Sequence, residues 1–156
     1  MARLSHLDQH DRVNMVDVGA KPLSCRVATA RGRIRLAPKT LSLLRQRRLR
    51  KGNVIVTAEI AGIQAAKRTA ELIPLCHPVP LSQVVVRCEL IPTGVEVTGT
   101  ACCTAQTGVE MEALTAVSVA LLTLYDMCKA VDKKMVIGPV KLVSKTKTTI
   151  TPQESP

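Results

Sequence analysis

The sequence predicts a single α+β domain of the ferredoxin-like plan, a mostly antiparallel sheet with helices packed on one face. Three observations carry that expectation. Stretches of period-two alternation and stretches of helical period follow one another in the order strand, helix, helix, hairpin, helix, strand, with no internal repeat. The 156 residues leave room for one domain, 1–156, and hardly for two. With 46% hydrophobic and 22% charged residues, the chain has enough apolar side chain to bury a core. Phe and Trp are absent and Tyr125 is the single aromatic residue, so Val, Leu, Ile, Ala, Met and Cys must fill that core.

Cys25–Leu36 (CRVATARGRIRL) alternates with period two and carries β-branched residues, predicting a strand interrupted near Gly32. Pro38 suits the first turn of a short helix reaching about Arg47. Asn53 is a good N-cap for an Ala-rich helix running to Leu72, with apolar positions 54, 58, 61, 65 and 69 or 72 matching one face. Val54–Val56 could equally begin a strand. Three prolines in Ile73–Leu81 (IPLCHPVPL) deny helix and predict a stiff, extended connection. A hairpin follows: Ser82–Ile91, a Pro92-Thr93-Gly94 turn, and Val95 to about Ala105. From Gly108 to about Val131 apolar residues at 114, 117, 121, 124 and 128 predict a long helix, with Glu110 and Glu112 suited to its N-terminus and Lys129 to its C-terminus. Met135–Ser144 reads as a last strand, placed at an edge or a bulge by Gly138-Pro139. Residues 1–13 and 146–156 are expected to be loose. Two apolar helices on so small a sheet leave surface to hide, which predicts an oligomer.

Composition narrows the function classes. The first ten residues, MARLSHLDQH, hold no apolar run of signal-peptide length, and the longest uncharged apolar stretch, Ala113–Tyr125, is short of the about 20 residues a membrane span needs. Six cysteines without a C-x-x-C pair are expected to be reduced thiols in the cytoplasm, mostly small buried hydrophobes. His6, His10 and His77 form no metal-ligand spacing, so no metal is expected. Between Asp17 and Glu59 there is no acid, while Lys21, Arg26, Arg31, Arg33, Arg35, Lys39, Arg45, Arg47, Arg48, Arg50 and Lys51 concentrate the net charge of +10. A polyanion is the expected partner, either nucleic acid or a phosphate-rich small molecule, against the plainer reading of a solvated basic face. The lack of aromatics removes base stacking as a means of binding single strands.

Several residues stand out for chemistry. His77, between Cys76 and Pro78, sits where prolines hold a side chain in place at low entropic cost, although a structural histidine fits equally. Glu110 and Glu112, two apart on a helix, point to different faces, so one can meet a ligand while the other caps or meets solvent. Asp126 and Lys129 form an acid and amine pair directly after the apolar run, where a helix leaves the core. Lys51 precedes Gly52 and Asn53 at an expected helix N-terminus, a place that favours anions. No P-loop, G-x-G-x-x-G or nucleophile elbow is present.

Together these strings resemble one family. MVDVGAK (15–21), KG (51–52), AGIQAAKRT (61–69), LIPLCHP (72–78), TGVEMEALTAVSVALLTLYDMCKAVDK (107–133) and MVIGPVKL (135–142) are similar to cyclic pyranopterin monophosphate synthases, the molybdenum cofactor biosynthesis protein C family. The resemblance spans Leu4–Lys145, and VEMEALTA with YDMCKAV is its most specific part. It implies a ferredoxin-like fold in a homohexamer, a trimer of dimers with active sites at subunit interfaces. The implied substrate is 3′,8-cyclo-7,8-dihydro-GTP, made by a radical S-adenosylmethionine GTP cyclase, and the implied products are cyclic pyranopterin monophosphate and pyrophosphate, with no cofactor. Asp126 would be the catalytic aspartate and Lys129 and Lys51 catalytic lysines. Leu75, Cys76, His77, Met111 and Glu112 would bind substrate, with Glu110 close by and Lys145 on the phosphate side. Two departures stand out: Glu59 replaces a common Arg, and Lys145-Thr-Lys-Thr-Thr149 replaces a Gly- and Ser-rich tail. A small basic RNA-binding protein is the competing class, supported by the Arg-rich stretch alone.

Overall fold

The computed structural model describes residues 10, 12–48 and 52–150. Alternation makes Ser24–Arg35 strand β1: Ala28, Ala30, Gly32 and Ile34 are buried on one face, while Arg33 and Arg35 stand exposed on the other. Pro38 opens helix α1 (Pro38–Arg45), α2 spans Val54–Ala66, and a further single turn, α3, covers Thr69–Leu72. The Asn53 side chain accepts from the Val56 N–H at 3.3 Å, so Val54–Val56 begin the helix rather than a strand. The hairpin supplies β2 (Leu81–Ile91) and β3 (Gly94–Ala105), followed by α4 (Glu110–Cys128) and β4 (Val136–Thr149). All strands pair antiparallel in the order β2-β3-β1-β4. With this connectivity the chain has an α+β fold of split β-α-β arrangement.

Helix α4 is the centre of the core. Val117, Leu121 and Leu124 are fully buried, each burial contributing about 1.5–3 kcal/mol. It can lie this close because its neighbours are small. A Cβ on Gly32 would come 2.7 Å from Leu121 Cδ1, and one on Gly62 of α2 would come 2.8 Å from the Ala116 carbonyl oxygen. By length and composition α4 could cross a membrane, but it packs against α2, β1, β3 and β4 as a core helix does. Glu59 of α2 accepts from the Cys88 N–H at 3.0 Å, tying the helix to edge strand β2. Burial, with the charge of Glu59, pushes the Cys88 thiol up to about 12.

The structure departs from the sequence reading at element ends. The expected helix from Asn53 to Leu72 breaks after Ala66, because the Thr69 hydroxyl donates to the Ala65 and Ala66 carbonyls and competes with the next helical turn. Helix α1 stops at Arg45, with Arg47 in the left-handed region at φ 53. Helix α4 ends three residues short of Val131, where the Val131 and Asp132 N–H groups both turn back to the Cys128 carbonyl. The largest correction concerns the tail: residues 146–149 are not loose but extend β4, pairing Thr146, Lys147, Thr148 and Thr149 with Val27, Arg26, Cys25 and Ser24. Alternating Lys and β-branched Thr suits an edge strand, and β1 offers a free edge to receive it. Gly138 and Pro139 lie in that edge strand, opposite a register shift at Gly32–Ile34.

Asp132 closes the helical layer. Ala37 gives α1 no side-chain cap, and the buried Asp132 carboxylate takes that place. Its Oδ2 accepts from the Ala37 N–H at 2.7 Å and the Thr40 hydroxyl at 3.1 Å, and its Oδ1 from the Lys134 N–H at 3.1 Å. Burial pushes the carboxyl pKa up, but these three bonds outweigh it and leave the pKa lowered. Replacing Asp132 by Ala should therefore lower stability by about 2–3 kcal/mol in a urea melt at neutral pH. A lowered folded pKa means that the charge-dependent stabilisation is complete above the ordinary carboxylate value and is lost as pH falls through the folded one. The gap between parent and variant should accordingly shrink below about pH 4.

Candidate active site

Four segments converge at the N-terminal end of α4. The proline-stiffened connection turns at Ile73–Cys76, where the Cys76 N–H donates to the Ile73 carbonyl at 3.1 Å, and presents Leu75, Cys76 and His77. The β3–α4 connection brings Thr107 and Gly108, and the first turn of α4 brings Glu110, Met111 and Glu112. A Cβ at position 108 would meet the Glu110 carboxylate, so the Glu110 side chain would have to shift to admit one. The fourth wall is a strap before β1 that contributes Val16, Val18 and Lys21. Together they enclose a cavity of about 290 Å³. His77 crosses to the strap: its Nε2 donates to the Val16 carbonyl at 2.7 Å, since a carbonyl can only accept.

The two carboxylates of this turn differ in environment. Burial pushes the Glu110 carboxyl up, but its own backbone N–H, a 3.1 Å bond from Lys145 Nζ and the nearby Arg26 charge outweigh it, so the pKa is lowered. Glu112 is 4% exposed, and burial, assisted by the Glu110 charge against its own backbone N–H, holds its carboxyl above the ordinary value. The two neighbouring carboxyls are thus shifted in opposite directions, Glu110 down and Glu112 up, a pairing suited to general acid–base work. Burial and then the Glu112 charge raise the Cys76 thiol, so it stays protonated and is a lining group rather than a nucleophile.

On the far side of Gly108 and Glu110 a second cavity of about 270 Å³ is lined by Arg26, Lys145 and Lys147. Arg26 Nη2 donates to the Gln106 carbonyl at 3.2 Å, while its Nε is buried with no protein partner. Three cations around one opening suit an anionic group. Among the described residues no cluster of three or more His, Cys, Asp or Glu could hold a metal.

Of the residues singled out in the sequence, Leu75, Cys76, His77, Glu110, Met111 and Glu112 all line the first cavity, and Lys145 joins them through Glu110. Asp126 and Lys129 do not. They form a 2.7 Å ion pair at the other end of α4, with side chains 57% and 58% exposed. The Asp126 hydrogen bond and then the Asp126 charge raise the Lys129 pKa. Lys51 lies outside the described residues. Sequence reasoning missed the strap, Arg26 and Lys147 as site residues. Arg26 sits on the helix-facing side of β1, a signal present in the alternation through Ala28 and Ala30, and Lys147 depended on the strand that was read as a loose tail. Arg45, Arg47 and Arg48 are exposed at the end of α1, as a solvated basic face would be.

Residues 15–148 match the family model described as the MoaC family. The cyclic pyranopterin monophosphate synthase of Chloroflexus aggregans is 55% identical over 145 residues, covering 92% of this chain and 88% of that protein. That of Roseiflexus sp. is 53% identical over 148 residues, covering 94% of each chain. That of Desulfitobacterium hafniense is 50% identical over 144 residues, covering 92% of this chain and 88% of that protein.

Proposed function

The chain belongs to the MoaC family, and we propose that it is a cyclic pyranopterin monophosphate synthase, a lyase acting in molybdenum cofactor biosynthesis. It converts 3′,8-cyclo-7,8-dihydro-GTP into cyclic pyranopterin monophosphate and pyrophosphate. The observation that carries this reading is the likeness to enzymes of that name along almost the whole chain. The paired cavities fit the chemistry. Rearranging the purine and ribose into a pterin moves protons on and off carbon, nitrogen and oxygen, and Glu112 and Glu110 offer two carboxyls whose pKa values are shifted in opposite directions beside one cavity. Closing the cyclic phosphate forms a bond from a sugar oxygen to the α-phosphorus and breaks the bond to the β-phosphate oxygen. The departing pyrophosphate is anionic, and the Arg26, Lys145 and Lys147 opening supplies positive charge next to Glu110.

In this reading Asp126, Lys129 and Lys51 are the catalytic residues, Leu75, Cys76, His77, Glu110, Met111 and Glu112 bind the substrate, and Lys145 serves its phosphate side. The active form is a cytoplasmic homohexamer, a trimer of dimers whose sites are shared between subunits. Its substrate comes from a radical S-adenosylmethionine GTP cyclase. The test is direct: purified protein supplied with the cyclised dihydro-GTP should release one pyrophosphate per substrate consumed and form the cyclic phosphate. Absence of both products from folded, assembled protein would overturn the assignment.

A further inference from the structure

Gln106 directly precedes Thr107 and Gly108 of the cavity lining, and its backbone and side chain do different work. Its main-chain carbonyl accepts from Arg26, which lines the second cavity. Its side-chain Nε2 donates to the Gly19 carbonyl at 3.3 Å, in the middle of the strap that walls the first. Around Gly19 the strap is shaped locally: Asp17 Oδ1 accepts from the Gly19 N–H at 2.8 Å, and the Lys21 N–H donates to the Val18 carbonyl at 2.9 Å. Two long-range bonds then fasten it, one from His77 to Val16 and one from Gln106 to Gly19. Among the described residues lining the first cavity, Lys21 is the one lysine or arginine, and the other ionisable lining groups include the two glutamates. A nucleotide-derived substrate entering a cavity with two carboxyls needs a compensating cation, and the strap brings one.

We propose that Gln106 is a positioning residue for substrate binding, its amide holding the Val16–Lys21 strap in place so that the Lys21 ammonium contacts an oxyanion of the substrate. The inference rests on the enzymatic reading above and adds to it a cation and the group that places it. Because the Gln106 bond lies at the surface, removing the side chain leaves the Gly19 carbonyl free to bond water. The core loses nothing. The main-chain carbonyl that orients Arg26 also remains in any side-chain variant.

The experiment compares Gln106→Leu, Lys21→Met, Lys21→Arg and the Gln106→Leu/Lys21→Met double variant with the parent as assembled full-length proteins. Pyrophosphate release gives KM and kcat, and calorimetric titration with GTP gives an affinity independent of turnover. Gln106→Leu and Lys21→Met should each raise KM about tenfold, with kcat within about twofold and melting temperature nearly unchanged. Lys21→Arg should recover most of the KM. The double variant should match Lys21→Met alone, because once the ammonium is gone there is nothing left to position. A KM unchanged by Lys21→Met, effects that multiply in the double variant, or losses confined to kcat with a falling melting temperature would each overturn the proposal. If the parent releases no pyrophosphate but GTP affinity falls in the same pattern, the enzymatic reading fails and the positioning role stands. If GTP affinity is unmoved as well, both fail.

Discussion

Asp126→Asn and Lys129→Ala should each lower pyrophosphate release at least about a hundredfold, the usual scale for a positioned acid or base, while the fold remains intact. The separation of the two effects follows from where the pair sits. Helix α4 is held by Val117, Leu121, Leu124 and Cys128, all fully buried, whereas the Asp126 and Lys129 side chains are more than half exposed. An exposed ion pair three residues apart contributes little to stability, and its removal opens no cavity. The Lys129 ammonium owes its raised pKa to the Asp126 hydrogen bond first and to the Asp126 charge second. Asp126→Asn should therefore let the lysine titrate earlier as pH rises, moving any alkaline limb of the activity profile downward. The check is turnover and thermal melting on the same preparations. Near-normal release from both variants would remove this pair from the mechanism.

What could be read in the sequence was what neighbouring residues decide. The Val-rich arms around Pro92 and Thr93 gave a hairpin because alternation and turn lie within a few residues of one another, and Asn53 marked a helix start through a bond to Val56, three residues on. The features that escaped depend on distant partners. Strand β4 continues to Thr149 because β1, more than a hundred residues earlier, has an edge to fill. The α1 cap is Asp132, which no local pattern connects with Ala37. The break between α2 and α3 turns on one hydroxyl, that of Thr69. The site divides in the same way. Leu75–His77 and Glu110–Glu112 were evident as motifs, and the antiparallel pairing of β1 with β3 and β4 then set Arg26 and Lys147 beside them. Net charge could not separate these cations from Arg45, Arg47 and Arg48, because counting charges does not say which side of a strand they occupy. The basic stretch accordingly has no single role: Lys21 and Arg26 line the cavities, Arg31 and Arg33 pair with Glu96, and the arginines at the end of α1 face solvent.

The distance along α4 leads to the other large effect. Glu110 and Asp126 are sixteen positions apart on one helix, about 24 Å at 1.5 Å per residue, too far for both carboxylates to meet one reacting centre within a chain. The face of α4 that carries Asp126 and Lys129 also exposes Leu122 at 59%, with Val131 at 49% just beyond, apolar surface that a second subunit could cover. In the proposed oligomer a site assembled from two chains would account for both, the Asp126 end of one subunit completing the Glu112 cavity of another. Mixing then becomes informative. Asp126→Asn and Glu112→Gln preparations should each be nearly inactive alone. After subunit exchange at equal amounts, about a quarter of the sites should combine an intact Asp126 with an intact Glu112, and activity should rise by that fraction of the parent value. Exchange is verified separately by native mass spectrometry of tagged subunits. Mixed oligomers that form in the expected proportions yet remain as inactive as their parents would place both residues in a single chain's site, and the ligand would then have to span the length of α4.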